Sequence, residues 1–318
     1  MKILAGVFVA SLAAGPCLAQ GWPAAPLKYI VPFPPGGSTD VISRHLGEKL
    51  RERLGQPVVI ENIGGAGSAI GVGRIAKAAP DGYTIGLGNT ASHTIIPFLS
   101  SSAPYDTVAD FSPISIINEY VNVLVVHPKI PARNVRELVA LAKSRAGGMT
   151  YASSGNGASN HLSAELLARV ASVRMTHVPY KGGAPALTDV RAGQVDFMFD
   201  TIVTSMPMIK AGTLRALATT GRTRDPFLPD VPAVAEYYSG YEVAGFMAVF
   251  GPAGMQKAVI DRLNSELAAI IRLPEMVERL SLLYFNPRTS TPEELSQRVR
   301  KDGAHWKALI TSAGIKLD

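Results

Sequence analysis

The chain has 318 residues, a formal charge of +6, 47% hydrophobic residues and a single cysteine, Cys17. One cysteine excludes an internal disulfide and any multi-thiolate metal site, so the fold must rest on its own core, which this length can supply as two domains. The basic residues are scattered: Arg44, Lys49, Arg51 and Arg53 interleave with Glu48 and Glu52, and Arg133, Arg136, Lys143 and Arg145 flank Glu137. Nucleic-acid binders gather their charge on a stripe or arm, so the pattern speaks for solvated helix faces and a mild field favouring anionic solutes.

Residues 1–19 read as an export signal. A basic start at Lys2 precedes an apolar run over 3–14, and small residues at Cys17 and Ala19 predict a cut after Ala19. The run is too short for a bilayer core of about 30 Å. Cleavage there removes Cys17, and Pro16 directly before it argues against lipid attachment at that cysteine.

From there strand and helix signals alternate. A strand is predicted over 27–33, a helix over 39–54 with Ile42, Leu46, Leu50 and Leu54 at spacing four and Gly55 as its stop, and a strand over 57–61. A glycine-rich turn leads to a helix through Ile75, then a strand over 83–88. Two separate apolar runs follow, 114–117 and 122–126, then a helix over 134–145 and a strand over 149–152. The second half continues with a helix to Val170, a strand over 175–180, a helix over 184–192, a strand over 195–199, a short helix over 206–210 and strands over 214–219 and 241–250. Helices over 257–271, 274–280 and 292–313 close the chain. Such alternation predicts an α/β fold with a mainly parallel sheet. The closing helices have no sheet of their own and must return to the first one. That predicts two domains, 20–120 with 247–318 and 121–246, joined by two crossings near 118–122 and 245–248. A cleft then lies at the carboxyl ends of the strands, where α/β sheets bind ligands.

Local signatures of catalysis are missing. The six histidines show no zinc-ligand spacing, and the chain has no G-x-S-x-G elbow, S-x-x-K pair or phosphate loop. The run from Gly71 to Ala76 fits a loose G-x-G-x-x-A pattern, but it stands far from its strand and lacks the acidic partner, so these glycines read as helix–sheet packing. No metal, cofactor or reaction is expected.

Two strand-to-helix turns carry the functional reading. VPFPPGGSTD (31–40) places Pro35, Gly36 and Gly37 before Ser38, Thr39 and Asp40 at a helix start. Prolines stiffen the turn, glycines admit a ligand to the backbone, and the helix N-terminus favours negative charge. SSGNGASNHL repeats the device with Ser153, Ser154, Gly155, Asn156, Gly157, Ser159 and His161. Each turn by itself is equally explained by turn chemistry and capping. Facing each other across a cleft, the two would hold a small anion by hydrogen bonds. Asn89 and His93 follow the third strand, Asp200 follows an apolar strand where it could instead cap a helix, and Phe33 and Tyr180 end strands as apolar walls or as core.

These residues resemble the Bug family, the extracytoplasmic receptors of tripartite tricarboxylate transporters. The resemblance rests on VPFPPGGSTD, LGQPVVIEN, AAPDGYTIGLGN, YASSGNGASNHL, HVPYKGGAPALTDVRAGQVDFMFD, IKAGTLRALATT and LPDVPAVAE, in order, over about 23–291. It implies a two-domain Venus-flytrap fold of type II-like architecture, a periplasmic location, capture of a small carboxylate, and delivery to the transporter's membrane subunits, with the receptor a monomer. It also implies ligand-binding roles for the two turns, for the segment 89–93 and for Phe199-Asp200. Where relatives often read Phe-Asp-Asn, this chain has Thr201 after Asp200, which removes an amide donor. Two other readings stay open here: an exported hydrolase or isomerase using His93 or His161 with a nearby serine, and a ligand-sensing partner of a sensor kinase.

Overall fold

The computed structural model describes residues 21–99 and 103–314; the predicted export signal and Cys17 lie outside them. The first part of the chain runs β1 (Leu27–Val31), α1 (Ser38–Leu54), β2 (Val58–Asn62), α2 (Ala69–Ala76), β3 (Thr84–Asn89), a single π-helical turn (Ala91–Ile95), α3 (Ile96–Leu99) and β4 (Phe111–Val126). The middle runs α4 (Val135–Ser144), β5 (Met149–Ser153), α5 (Ser159–Val170), β6 (Met175–Pro179), α6 (Gly183–Ala192), β7 (Phe197–Thr201), α7 (Ile202–Lys210) and β8 (Arg215–Thr219). The chain ends with β9 (Ala244–Pro252), α8 (Lys257–Ile271), α9 (Pro274–Leu282), β10 (Asn286–Pro287) and α10 (Pro292–Ala313).

The strands form one sheet in the order β2-β1-β3-β9-β4-β7-β5-β6, with β8 and β10 also on β4. β1 pairs in parallel with β2 and β3, and β5 with β6 and β7, which gives each half its parallel core. β4 belongs to both halves. Its first part pairs with β9 and β10, and its last five residues with β7 and β8.

The sheet is therefore mixed rather than mainly parallel as expected, because β9 runs antiparallel to β3 and β4, and β4 antiparallel to β7, β8 and β10. A second expectation is also corrected. The apolar runs at 114–117 and 122–126 are a single 16-residue strand. Asn118, Glu119 and Tyr120 looked like a break because they are polar or bulky. Glu119 instead stays in the strand, with its charge met by Arg298 at 2.9 Å and Arg288 at 3.5 Å. The two crossings are therefore paired strands of one ribbon, with Glu119 opposite Phe246, Tyr120 opposite Gly245 and Val121 opposite Ala244. Gly245 is required there, since a Cβ would fall 2.2 Å from the Tyr120 ring.

α1, α8 and α9 cover one face of the first half, where Tyr29, Val31, Ile42 and Leu46 meet Leu263, Leu267 and Met276. On the other face, α2 and the start of α10 bring Val72, Ile75, Leu295 and Val299 onto Ile30 and Phe246. Gly71 lets α2 sit directly on the chain below, because a Cβ would lie 2.4 Å from the Ile63 carbonyl oxygen and 2.7 Å from Pro32 Cα. In the second half, α4 and α5 pack on Tyr151, Phe197 and Phe199, and α6 and α7 on Val123, Val125 and Met198.

α10 makes the expected return to the first sheet only with its start. Its 22 residues span about 33 Å, more than one half needs. Its far end places Trp306, Leu309 and Ile310 in the core of the second half, beside Leu162, Tyr241 and Ile95. Arg169 Nη1 also donates to Ser312 Oγ at 2.8 Å.

Candidate functional site

The first turn is built around Asp40. Gly36, at φ +87°, reverses the chain and donates its N–H to Asp40 Oδ2 at 2.9 Å. Asn62 Nδ2 on β2 donates to Oδ1 at 2.9 Å, and Arg44 one helical turn on reaches both oxygens, at 3.1 and 3.0 Å. Burial alone would raise the Asp40 pKa, but the hydrogen bonds from Arg44, Gly36 and Asn62 outweigh it and hold the carboxyl below its ordinary value. Asp40 therefore pins the turn to α1 and β2. Ser38 and Thr39, half-buried, open α1 after Gly37, which offers no side-chain cap, so the first N–H groups of the helix are left for an outside acceptor. Pro35, Gly36 and Gly37 are exposed, and Phe33 packs partly on the core while its carbonyl accepts from Asn62 Nδ2.

The second turn is also self-supported. Gly155 and Gly157 sit at φ +135° and +72°. Ser153, fully buried, accepts from the Gly155 N–H at 3.2 Å and meets His177 Nε2 at 2.6 Å. The Ser154 hydroxyl donates to Asn160 Oδ1 at 3.2 Å, and the Gly157 N–H donates to His161 Nδ1 at 3.0 Å. His161 stacks on His177 with ring centres 3.8 Å apart. Burial, then the neighbouring His177, pushes the His161 pKa down to about 4, and burial lowers His177 as well. Asn156 lies half-buried on the same turn. Gly157 marks a contact between the halves: a Cβ there would lie 2.1 Å from Leu99 Cδ1 of α3.

After β3, Asn89 and Ser92 cap each other, the Ser92 N–H donating to Asn89 Oδ1 at 2.9 Å and the Asn89 N–H to Ser92 Oγ at 3.0 Å. His93 then turns inward. It is fully buried, stacked on Phe250 at 3.9 Å, with burial pushing its pKa down to about 3. Asp200, buried at the end of β7, accepts from the Thr204 and Ser205 hydroxyls at the start of α7; burial raises its pKa and the hydroxyls oppose the rise. The Tyr180 hydroxyl donates to Asp189 Oδ2 at 2.6 Å on α6.

A cavity of about 210 Å³ lies between the halves. Thr90, Ala91 and Ile95 line it from the segment after β3, Ala158 and Ser159 from the start of α5, and Tyr120, Asn122, Val243 and Gly245 from the crossings, with Trp306 of α10 closing the wall. Asn122 Nδ2 donates to Ser159 Oγ at 3.4 Å, and the Phe246 N–H donates to Thr90 Oγ1 at 2.8 Å. A larger groove of about 940 Å³ borders the ribbon between 221–226 and α10. Part of its charge is internally paired, Arg224 to Glu236 and Arg298 to Glu119 and Asp302.

Of the residues singled out in the sequence, the cavity gathers Ser159 and the segment beside Asn89. Ser38, Thr39, Ser154 and Asn156 are not among its lining residues. Asp40, His93, Ser153, Tyr180 and Asp200 serve the framework around it. His93 is fully buried with its Nδ1 2.9 Å from Ser92 Oγ, and His161 Nδ1 accepts a backbone N–H; neither ring is among the residues that line the cavity.

A family model described as the tripartite tricarboxylate transporter family receptor matches residues 42–315. The chain belongs to this receptor family. It is 34% identical to Protein BugT of Bordetella pertussis over 315 residues, covering 98% of this chain and 97% of the relative. Among solved structures, "R. palustris Rpa4515 with adipate" matches at TM-score 0.78 and 33% identity, covering 93% of this chain and 99% of that one. "MatC (Rpa3494) from Rhodopseudomonas palustris with bound malate" matches at 0.73 and 30%, covering 91% and 100%. The fold is that of two-domain periplasmic binding proteins, and no helix among the described residues is long and apolar enough to cross a membrane.

Several residues that line this receptor's cavity escaped the sequence reading. Thr90 lies inside the segment 89–93 but is not singled out within it. Asn122 and Tyr120 are hidden in a strand taken for two. Trp306 has no sequence signal at all, since only the length of α10 carries it across.

Proposed function

We propose that this chain is a periplasmic receptor that holds one small carboxylate between its lobes, 20–120 with 247–318 and 121–246, and delivers it to the membrane subunits of a tripartite tricarboxylate transporter. Export follows cleavage after Ala19, and the receptor acts as a monomer without turning its ligand over. The observation that carries the reading is the interlobe cavity at the N-terminus of α5, with Ser159 and Thr90 hydroxyls on its wall. The helix dipole and the Ser159 and Asn160 N–H groups at the start of α5 favour an anion there, the His161 N–H already donating to Asn160 Oδ1. The adipate and malate in the titles of two similar structures support a carboxylate as that anion. The turn after β1 offers the same chemistry from the other lobe, through the N–H groups and hydroxyls of Ser38 and Thr39. Rotation of the lobes about the β4–β9 ribbon brings it over the ligand and creates the closed shape that a membrane partner recognises.

A thermal-shift panel of carboxylic acids, sugars, amines and divalent metals tests this. An acid at one hundred times its dissociation constant adds about 2.7 kcal/mol, a rise of several degrees. A melting point moved only by sugars, amines or metals overturns the reading.

A further inference from the structure

We infer that the ligand is a monocarboxylate with an apolar tail of roughly five to seven carbons, alkyl or aryl, whose tail lies against Trp306. This rests on the carboxylate-receptor reading above and adds the chemistry of the ligand's far end.

The cavity walls decide it. Its polar side-chain groups are the Thr90 and Ser159 hydroxyls, the Asn122 amide, the Tyr120 hydroxyl and the Trp306 N–H, and two of these, on Asn122 and Ser159, already touch each other. The remaining wall is apolar: Ile95, Val243 and the rings of Tyr120 and Trp306, with Ala and Gly backbone between them. No charged side chain lines the space among the described residues. Of the cations on α10, Arg298 is committed elsewhere. Arg298 bonds Glu119, Asp302 and the Ala244 carbonyl, and its guanidinium lies 5.6 Å from the centre of the Phe246 ring. A second carboxylate pushed into this wall would lose its hydration without gaining a cation or a full set of donors, which proteins tolerate poorly. An alkyl chain or phenyl ring would lose nothing and release the water the cavity otherwise holds.

The volume agrees. An apolar cavity of about 150 Å³ admits benzene. At about 210 Å³, this one admits a six-membered ring with a short spacer, or an alkyl tail of similar bulk. The head of such an acid reaches Ser159 and the first N–H groups of α5 while its tail fills the space toward Val243 and Trp306.

Hexanoate and adipate form a matched pair: equal carbon count, with the terminal methyl of one replaced by a carboxylate in the other. Isothermal titration of the full chain with hexanoate, phenylacetate, adipate and malate is expected to give at least about 100-fold tighter binding of hexanoate or phenylacetate than of adipate. Trp306 supplies a second readout, because the chain has only two tryptophans. With Trp22→Phe, the remaining fluorescence reports the cavity wall, and hexanoate or phenylacetate should shift it. Val243→Lys places an ammonium on the wall and should move the preference toward adipate. Adipate or malate binding as tightly as hexanoate in the unaltered chain overturns the inference and leaves the carboxylate reading intact. Tail-bearing acids that bind without changing Trp306 emission also overturn it. Failure of every acid to bind removes both.

Discussion

Replacing Asp40 with alanine tests whether this carboxylate is a strut rather than a ligand contact. Its two oxygens collect the Gly36 N–H, the Asn62 amide and the Arg44 guanidinium, and its side chain is only 5% exposed. The Arg44 side chain is 52% exposed, so that ion pair is screened and contributes little. The Gly36 and Asn62 bonds to a charged acceptor contribute about 1.5 kcal/mol each at the low end, and their donors are left unpaired by the substitution. Together these predict a loss of about 3 kcal/mol, or a melting point lower by roughly 6 °C in a chain of this size. The turn that carries Ser38 and Thr39 also loses its anchor, so carboxylate affinity should fall. Thermal denaturation with calorimetric titration of the same protein reads both effects. An Asp40→Ala variant that melts unchanged refutes the strut. One that melts lower yet binds with full affinity refutes the link from strut to site.

Acid should destabilise the protein through its buried imidazoles. His93 and His161 have pKa values pushed down to about 3 and about 4 from 6.5. Between those values and 6.5 the unfolded chain binds protons that the folded one does not, so stability rises with pH across this window by about 1 kcal/mol per pH unit for each ring. It is fully present above pH 6.5 and is lost as pH falls toward 4. His93→Leu should remove about one ring's share of the slope in melts recorded from pH 4.5 to 7, and an unchanged slope contradicts the assignment. Gly245→Ala should cost about 1–3 kcal/mol by driving a methyl into the Tyr120 ring, and Tyr120→Leu in the same chain should recover part of it. Absence of any recovery would place the strain elsewhere. Gly71→Ala should be less forgiving, because the atoms it meets at 2.4 and 2.7 Å are backbone.

Much of the framework was legible because local chemistry and global packing agree. Gly55 stops α1 in a left-handed conformation at φ +71°, and Thr291 with Glu294 forms a capping box at the start of α10. Gly71 packs helix on sheet as its distance from the preceding strand implied. Legibility failed where a tertiary partner overrides local character. Glu119 is a strand residue only because Arg298, nearly 180 positions later, meets its charge. His93 looked available for a cleft because a histidine after a strand is usually wet; Phe250 and Phe111 bury it. The two turns were visible as donor-rich strand-to-helix junctions, but the sequence does not say which donors are spent internally. Ser153, His161 and Asp40 hold the turns together, and Ser159 is the hydroxyl of the second turn that reaches the cavity. The opposite wall came from Trp306, whose place depends on α10 crossing between the halves, a matter of helix length and direction.

The most direct test is a crystal structure of the chain with the acid that binds it best. The account predicts one carboxylate within hydrogen-bond distance of Ser159 Oγ or the first N–H groups of α5, inside the space bounded by Thr90, Asn122 and Trp306. An acid lodged in the groove beside Arg224 and Arg298, with the interlobe cavity holding only water, would contradict it.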